Sequence, residues 1–205
     1  MRYTARVVNE RPYEQRARAR SSARTRAAIE AATLREAARL GYAGLRMAEV
    51  ARRAKVSRRT LYLHAPSKER LVEAVLRRHA DAIIRRVERW QPRGETPVSI
   101  LTELVALHER TYRTESATLE TLTAGGVPRE IAEILRDLDA VRLALITRTL
   151  DGLARRRVLR VRANEGIALA HALLAYPTWR TALTGPAGRR APRFVATALR
   201  STLLL

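Results

Sequence analysis

MAEVARRAKVSRRTLYLHAPSKER, residues 47–70, holds two short helical patterns separated by a tight turn and followed at once by a third helix start. Met47, Val50, Ala51 and Ala54 recur at helical spacing and give the first pattern one apolar stripe, with Glu49, Arg52 and Arg53 on the wet side. Ser57 stands where an N-cap belongs, its hydroxyl able to accept the backbone N–H of Arg59 or Thr60, so a new helix begins at Arg58. Leu61 faces inward with Val56. Arg58, Arg59, Thr60, Tyr62 and His64 are left for the other face, and Pro66 cannot continue the helix. Ser67 caps the helix that follows.

A helix this short that spends its surface on two arginines, a threonine, a tyrosine and a histidine has too little apolar area to exist for packing alone. Arginine can fork onto guanine O6 and N7, threonine and tyrosine can reach phosphates or a thymine methyl, and a short helix presented by a neighbour fits the major groove. VSRRTLY followed by PSKERL, and preceded by GYAGLRMAEVARRA, resembles the N-terminal domain of the TetR family of transcriptional regulators over roughly residues 24–75. The resemblance implies that Arg58–His64 is a recognition helix, that Tyr62 and Lys68 stand where the DNA backbone is held, and that Arg46, Ser57, Arg58, Arg59, Thr60 and His64 complete the DNA-binding set.

Four positions depart from the family pattern. The turn after the supporting helix carries Lys55 in place of the usual Gly, which costs on the order of 1 kcal/mol if the backbone there is left-handed. Arg46 replaces a Thr or Ser cap, exchanging a cap for a phosphate contact. Ala37 and Ala65 stand where the family tends to place phenylalanines, and an unfilled Phe site would cost roughly 3 to 5 kcal/mol, so a compensated contact and a thinner core are expected.

Length and charge agree with such a protein. The 205 residues suit one small domain and one larger one. There is no cysteine, hence no disulfide and no thiolate metal site, which fits a reducing cytoplasm. No run of about 18 apolar residues can span a bilayer, and no apolar stretch follows the N-terminal arginines, so a soluble, unexported, cytoplasmic protein with no membrane partner is expected. The net charge is +20, of which +13 falls within residues 1–80 (20 Lys and Arg against 7 Asp and Glu), the part that holds the reading module. Such an excess gathers polyanions through counterion release. Only Lys55 and Lys68 are lysines, a bias that genomic base composition explains as readily as a need for bidentate phosphate contacts.

Residues 1–23 are polar and Arg-rich and read as a flexible arm, and residues 24–66 as a three-helix DNA-binding domain. The first helix runs from a Thr25 cap to about Leu40, where Gly41 stops it. Residues 67–205 read as a helical effector-binding and dimerisation domain whose segment 67–90 is the connecting helix. Further helices start at Pro97, Ser116, Pro128 and Pro192, and Val158–Val161 reads as a loop. ANEGIALAHALLAYPTW (residues 163–179) is apolar nearly all the way round, which places it between its own core and a second subunit. The resemblance adds that such proteins dimerise through their last helices. The fold class expected is all-α.

No catalytic or metal constellation emerges. His64, His79, His108 and His171 share no ligand spacing, no Ser-His-Asp set or phosphate loop exists, and no cofactor is expected. His108, Tyr112, Glu115, Tyr176 and Trp179 are the polar and aromatic groups of an otherwise aliphatic body and form the candidate ligand-binding set, although each taken singly is more often a satisfied core residue than a ligand contact. Arg155, Arg156, Arg157, Arg160 and Arg162 could hold an anion, but a charge run between helices is usually a solvated loop. The function expected is a homodimeric, one-component repressor released from a palindromic double-stranded DNA operator by a small-molecule effector. The rival is an Arg-rich architectural protein that binds DNA with little sequence choice. An enzyme is disfavoured for want of acid-base or metal chemistry.

Overall fold

The computed structural model describes residues 11–123, 126–186 and 188–205. All regular structure in them is helical, as expected, and the chain divides after Val75 into two compact units. No helix among the described residues is long and apolar enough to cross a membrane.

The first unit opens with α1 (Arg11–Gly44), which begins well before the Thr25 cap anticipated from sequence. Residues 11–23, anticipated as part of a flexible arm, are therefore helical, while residues 1–10 lie outside the described part. The physical reason is propensity: the Arg, Ala and Gln residues there are strong helix formers, so the helix extends without an apolar face, and positions 15–24 are all exposed. Packing begins only at Ile29, and Ala32, Thr33, Glu36 and Ala37 continue the buried stripe. Helical geometry breaks at Gly41 (φ 69°, ψ 174°), a backbone suited to a residue without Cβ. Helix α2 (Met47–Ala54) buries Val50, Ala51 and Ala54 against α1 and ends at Lys55, which is left-handed (φ 55°, ψ 41°). Helix α3 (Arg58–His64) buries Leu61 alone. Ala37 and Ala65 are both buried, so methyl groups fill the two sites where larger residues were considered.

Helix α4 (Lys68–Glu88) carries the chain into the second unit. There α5 (Pro97–Thr114) starts on a Thr96 cap that accepts the Ser99 N–H at 3.1 Å. Next come α6 (Ser116–Thr123) and α7 (Arg129–Arg155), with Pro128 at the N-cap. Helices α8 (Ala163–Leu173), α9 (Tyr176–Thr184) and α10 (Ala191–Leu203) complete the unit. Its core is the inner stripe of α7, from Ile131 through Ile134, Leu145, Ile146 and Leu150 to Leu153, closed by Leu101, Leu104 and Leu199. Each of these stabilises the fold by roughly 1.5 to 3 kcal/mol. Gly166 lets α8 approach closely: a Cβ there would stand 3.2 Å from Leu203 and 3.5 Å from Leu150.

Two expectations change. Residues 163–179 do not form one helix, because Pro177 has no N–H to bond the Leu173 carbonyl and the chain turns at Leu174 and Ala175 before α9 begins. Within the single chain α8 buries one side, at Gly166 and Ala170, and leaves Ile167, Leu169 and Leu173 half-buried. The segment 158–161, read as a loop, forms one antiparallel bridge, Leu159 with Leu204, in which the Arg160 N–H donates to the Leu203 carbonyl at 2.8 Å.

Candidate functional site

Two sites emerge, one in each unit. In the first, Ser57 caps α3 by accepting the Thr60 N–H at 3.0 Å, and the Ser57 and Thr60 hydroxyls meet at 2.8 Å. The capped helix presents Arg58, Arg59, Tyr62 and His64 to solvent, with Thr60 partly covered. Arg46 is exposed at the N-cap of α2 and makes no side-chain cap. Glu49, in the first turn of α2, is held down to about 2 by hydrogen bonding from Arg52 and by the charges of Arg52 and Arg53, so it stays ionised and occupies both guanidinium groups.

Lys68 is placed differently from the rest of the set. Its ammonium donates to the carbonyls of Tyr42 and Ala43 at 3.2 and 3.4 Å and lies 4.5 Å from the Tyr42 ring centroid, while the Tyr42 hydroxyl donates to Glu69 at 2.9 Å. Lys68 thus ties the start of α4 to the end of α1, and a phosphate would share it with those carbonyls.

Leu63 was missed in the reading of this helix. It is 78% exposed, whereas Leu61 is fully buried. Helical geometry explains both: residues two apart lie on nearly opposite faces, and residues four apart share one, so Leu63 stands beside Arg59. That spacing was available in the sequence. Glu36 was missed as well; it is buried on α1 and lies 2.5 Å from Arg53 Nε.

In the second unit a cavity of about 630 Å³ opens among α4, α5, α6 and α7 and the start of α9. His108, Tyr112 and Tyr176 line it. Tyr112 is the hub of an aromatic cluster, with ring centroids 5.8 Å from His108, 5.3 Å from Tyr176 and 5.7 Å from Trp179, all edge-on. The Tyr112 hydroxyl donates to the Leu174 carbonyl, which the break between α8 and α9 leaves available. Trp179 packs behind Tyr112 and is not part of the cavity wall. Glu115 is also not in the wall: its carboxylate meets His79 at 2.8 Å and Arg86 at 3.7 Å. The Arg155, Arg156, Arg157, Arg160 and Arg162 run is exposed.

His108 is buried, and desolvation lowers its pKa to about 4, helped by the charge of Arg142 and opposed by its hydrogen bond to the Leu104 carbonyl. Desolvation pushes the Tyr112 phenol well above its ordinary value and Tyr176 up to about 12, so both remain protonated donors. Thr111 also lines the cavity, and its buried hydroxyl has no partner.

Comparison with known proteins gives a family match within the first unit and fold matches over most of the chain. Residues 29–75, which span α2, α3 and most of the buried part of α1, match the family described as bacterial regulatory proteins, tetR family. No curated protein matches the chain. Among solved structures, a proposed transcriptional regulator from Saccharomonospora viridis in complex with choline superposes with a TM-score of 0.74 at 23% identity, over 90% of this chain and 99% of that one. The transcriptional regulator FadR from Bacillus subtilis, in complex with stearoyl-CoA, gives 0.66 at 16% identity, over 85% and 97%. Salmonella enterica GusR gives 0.62 at 23%, over 86% and 92%. At these identities the structures show a shared fold, and over residues 29–75 the chain is similar to the helix-turn-helix region of the bacterial regulatory proteins of the tetR family.

Proposed function

We propose that this chain is a homodimeric repressor whose paired α3 helices read the halves of a palindromic operator, and that a small molecule entering the C-terminal cavity releases the DNA. The observation that carries this reading is the course of α4. It is one helix from Lys68, which clamps the end of α1, to Ile83 and Val87, which line the cavity. A ligand that prefers one position of those two side chains biases the helix on which the reader is mounted. To take a 1:99 equilibrium to 99:1 it must prefer the released state by about 5.5 kcal/mol.

Arg46, Ser57, Arg58, Arg59, Thr60, Tyr62, His64 and Lys68 are the proposed DNA contacts, and His108, Tyr112 and Tyr176 the proposed effector contacts, with Trp179 acting through Tyr112. Phe194 on α10 is 67% exposed and Ile167, Leu169 and Leu173 on α8 are half-buried, an apolar surface suited to a second copy. The choline and stearoyl-CoA bound by two proteins of the same fold make a ligand-filled body a reasonable precedent.

Selection of binding sites from random duplexes is the test. Recovery of a palindrome supports the repressor, and recovery of no consensus supports an architectural DNA-binding protein, for which the net charge of +20 would suffice.

A further inference from the structure

We infer that the C-terminal cavity selects an uncharged, largely apolar molecule bearing one hydroxyl group, which it seats on His108 and Thr111 of α5. This rests on the reading of the cavity as the effector site and names the class of effector.

The two residues are three apart on one helix and therefore neighbours on one face. His108 Nδ1 lies 2.8 Å from the Leu104 carbonyl oxygen. A carbonyl only accepts, so Nδ1 carries the hydrogen and the neutral ring presents Nε2 as an acceptor. Burial keeps this ring neutral at pH 7. Thr111 supplies the complementary group. Thr102, Thr114, Thr121 and Thr149 each turn the hydroxyl back to the carbonyl four residues earlier, at 2.7 to 2.8 Å. Thr111, 5% exposed and in the cavity wall, makes no such bond. One ligand hydroxyl can donate to Nε2 and accept from Thr111 Oγ1, satisfying both.

Charge is excluded by the remaining wall. Ile83, Val87, Leu107, Leu119, Leu138 and Leu145 are apolar. The charged groups that reach the cavity are already committed: Arg142 to Asp139 and to the His171 carbonyl, and Arg136 to Glu133 at 3.2 Å. Glu115, at the C-cap of α5, is turned to α4. The aromatic rings pack edge-on against one another and form no open cage for a cation. A cation or an anion would leave water without a free counter-charge to meet it.

Three probes with one alkyl chain test the inference on the full protein: 1-decanol, decyltrimethylammonium and decanoate, each below its micellar concentration, with binding read by calorimetry. 1-Decanol is expected to bind at least about tenfold more tightly than either ion. Thr111→Val should weaken 1-decanol by about five- to tenfold, as expected for loss of one buried hydrogen bond, and Thr111→Ser should restore it. Equal or tighter binding of either ion, an unchanged 1-decanol affinity in Thr111→Val, or no binding by any probe would overturn it. Release of operator DNA is measured separately, so that 1-decanol binding without release supports this inference while counting against the effector role of the cavity.

Discussion

The Glu36 carboxylate on α1 lies 2.5 Å from Arg53 Nε on α2, with the acid side chain 1% exposed and the arginine 35%. The Arg53 Nε–H is directed at Glu49, 3.2 Å away, so Glu36 Oε1 has the neighbouring charge but no hydrogen bond. Its other oxygen is met by Arg39 at 3.3 Å. Arg53 is thus what makes a buried acid tolerable between the first two helices. Arg53→Ala should destabilise the DNA-binding unit by about 2 to 3 kcal/mol, less than for a fully buried pair because Arg53 is partly solvated. Arg52→Ala, which removes a pair with Glu49 alone, should cost within about 0.5 kcal/mol. Urea unfolding followed by circular dichroism distinguishes them, and equal losses would count against the buried pair.

Lys55 is left-handed after α2, and its N–H returns to the Arg52 carbonyl at 3.2 Å. Lys55→Gly should therefore stabilise the unit by about 1 kcal/mol. DNA affinity at matched salt should fall slightly or not at all. A loss of stability in the same unfolding assay would show that the lysine side chain contributes packing that outweighs the strain.

His108 is neutral and buried, with its pKa lowered from 6.5 to about 4. Between those values the unfolded chain binds a proton that the folded chain does not, so stability falls as pH drops through this window and is fully present above about 6.5. The full effect is on the order of 3 kcal/mol. His108→Gln should lose stability at pH 7 yet show a flatter dependence between pH 6.5 and 4. An unchanged slope in thermal melts would mean that other groups set the acid sensitivity.

Leu63 and Arg59 share the outward face of α3. A large apolar side chain held in water there is suited to a thymine methyl, as arginine is to guanine. Leu63→Ala should cost about 1 kcal/mol of binding at one position of the selected site and leave other positions unaltered. Arg59→Ala should relax a different position by about 1 to 3 kcal/mol. Uniform weakening by both, with the consensus intact, would mean that α3 does not read bases.

The recognition unit was legible because its determinants are local. Ser57 caps a helix three residues away from its partner, Pro66 ends it, and Leu61 turns inward while Arg58, Arg59, Tyr62 and His64 face out; each relation is set by helical repeat and lies within about one turn of chain. The starts of α5, α7 and α10 followed from Pro97, Pro128 and Pro192 for the same reason. The extent of α1 was not legible, since a helix without an apolar stripe leaves no periodic signal. The candidate cavity was only half legible. Composition singled out His108, Tyr112, Glu115, Tyr176 and Trp179, but the packing of α5 against α4 turned Glu115 to His79, and the break between α8 and α9 set Tyr112 on a carbonyl 62 residues away and moved Trp179 behind it. Local rules decide which helices form. Which side chains face the empty space between them depends on non-local contacts, where a buried polar group takes whatever partner the packing brings within reach.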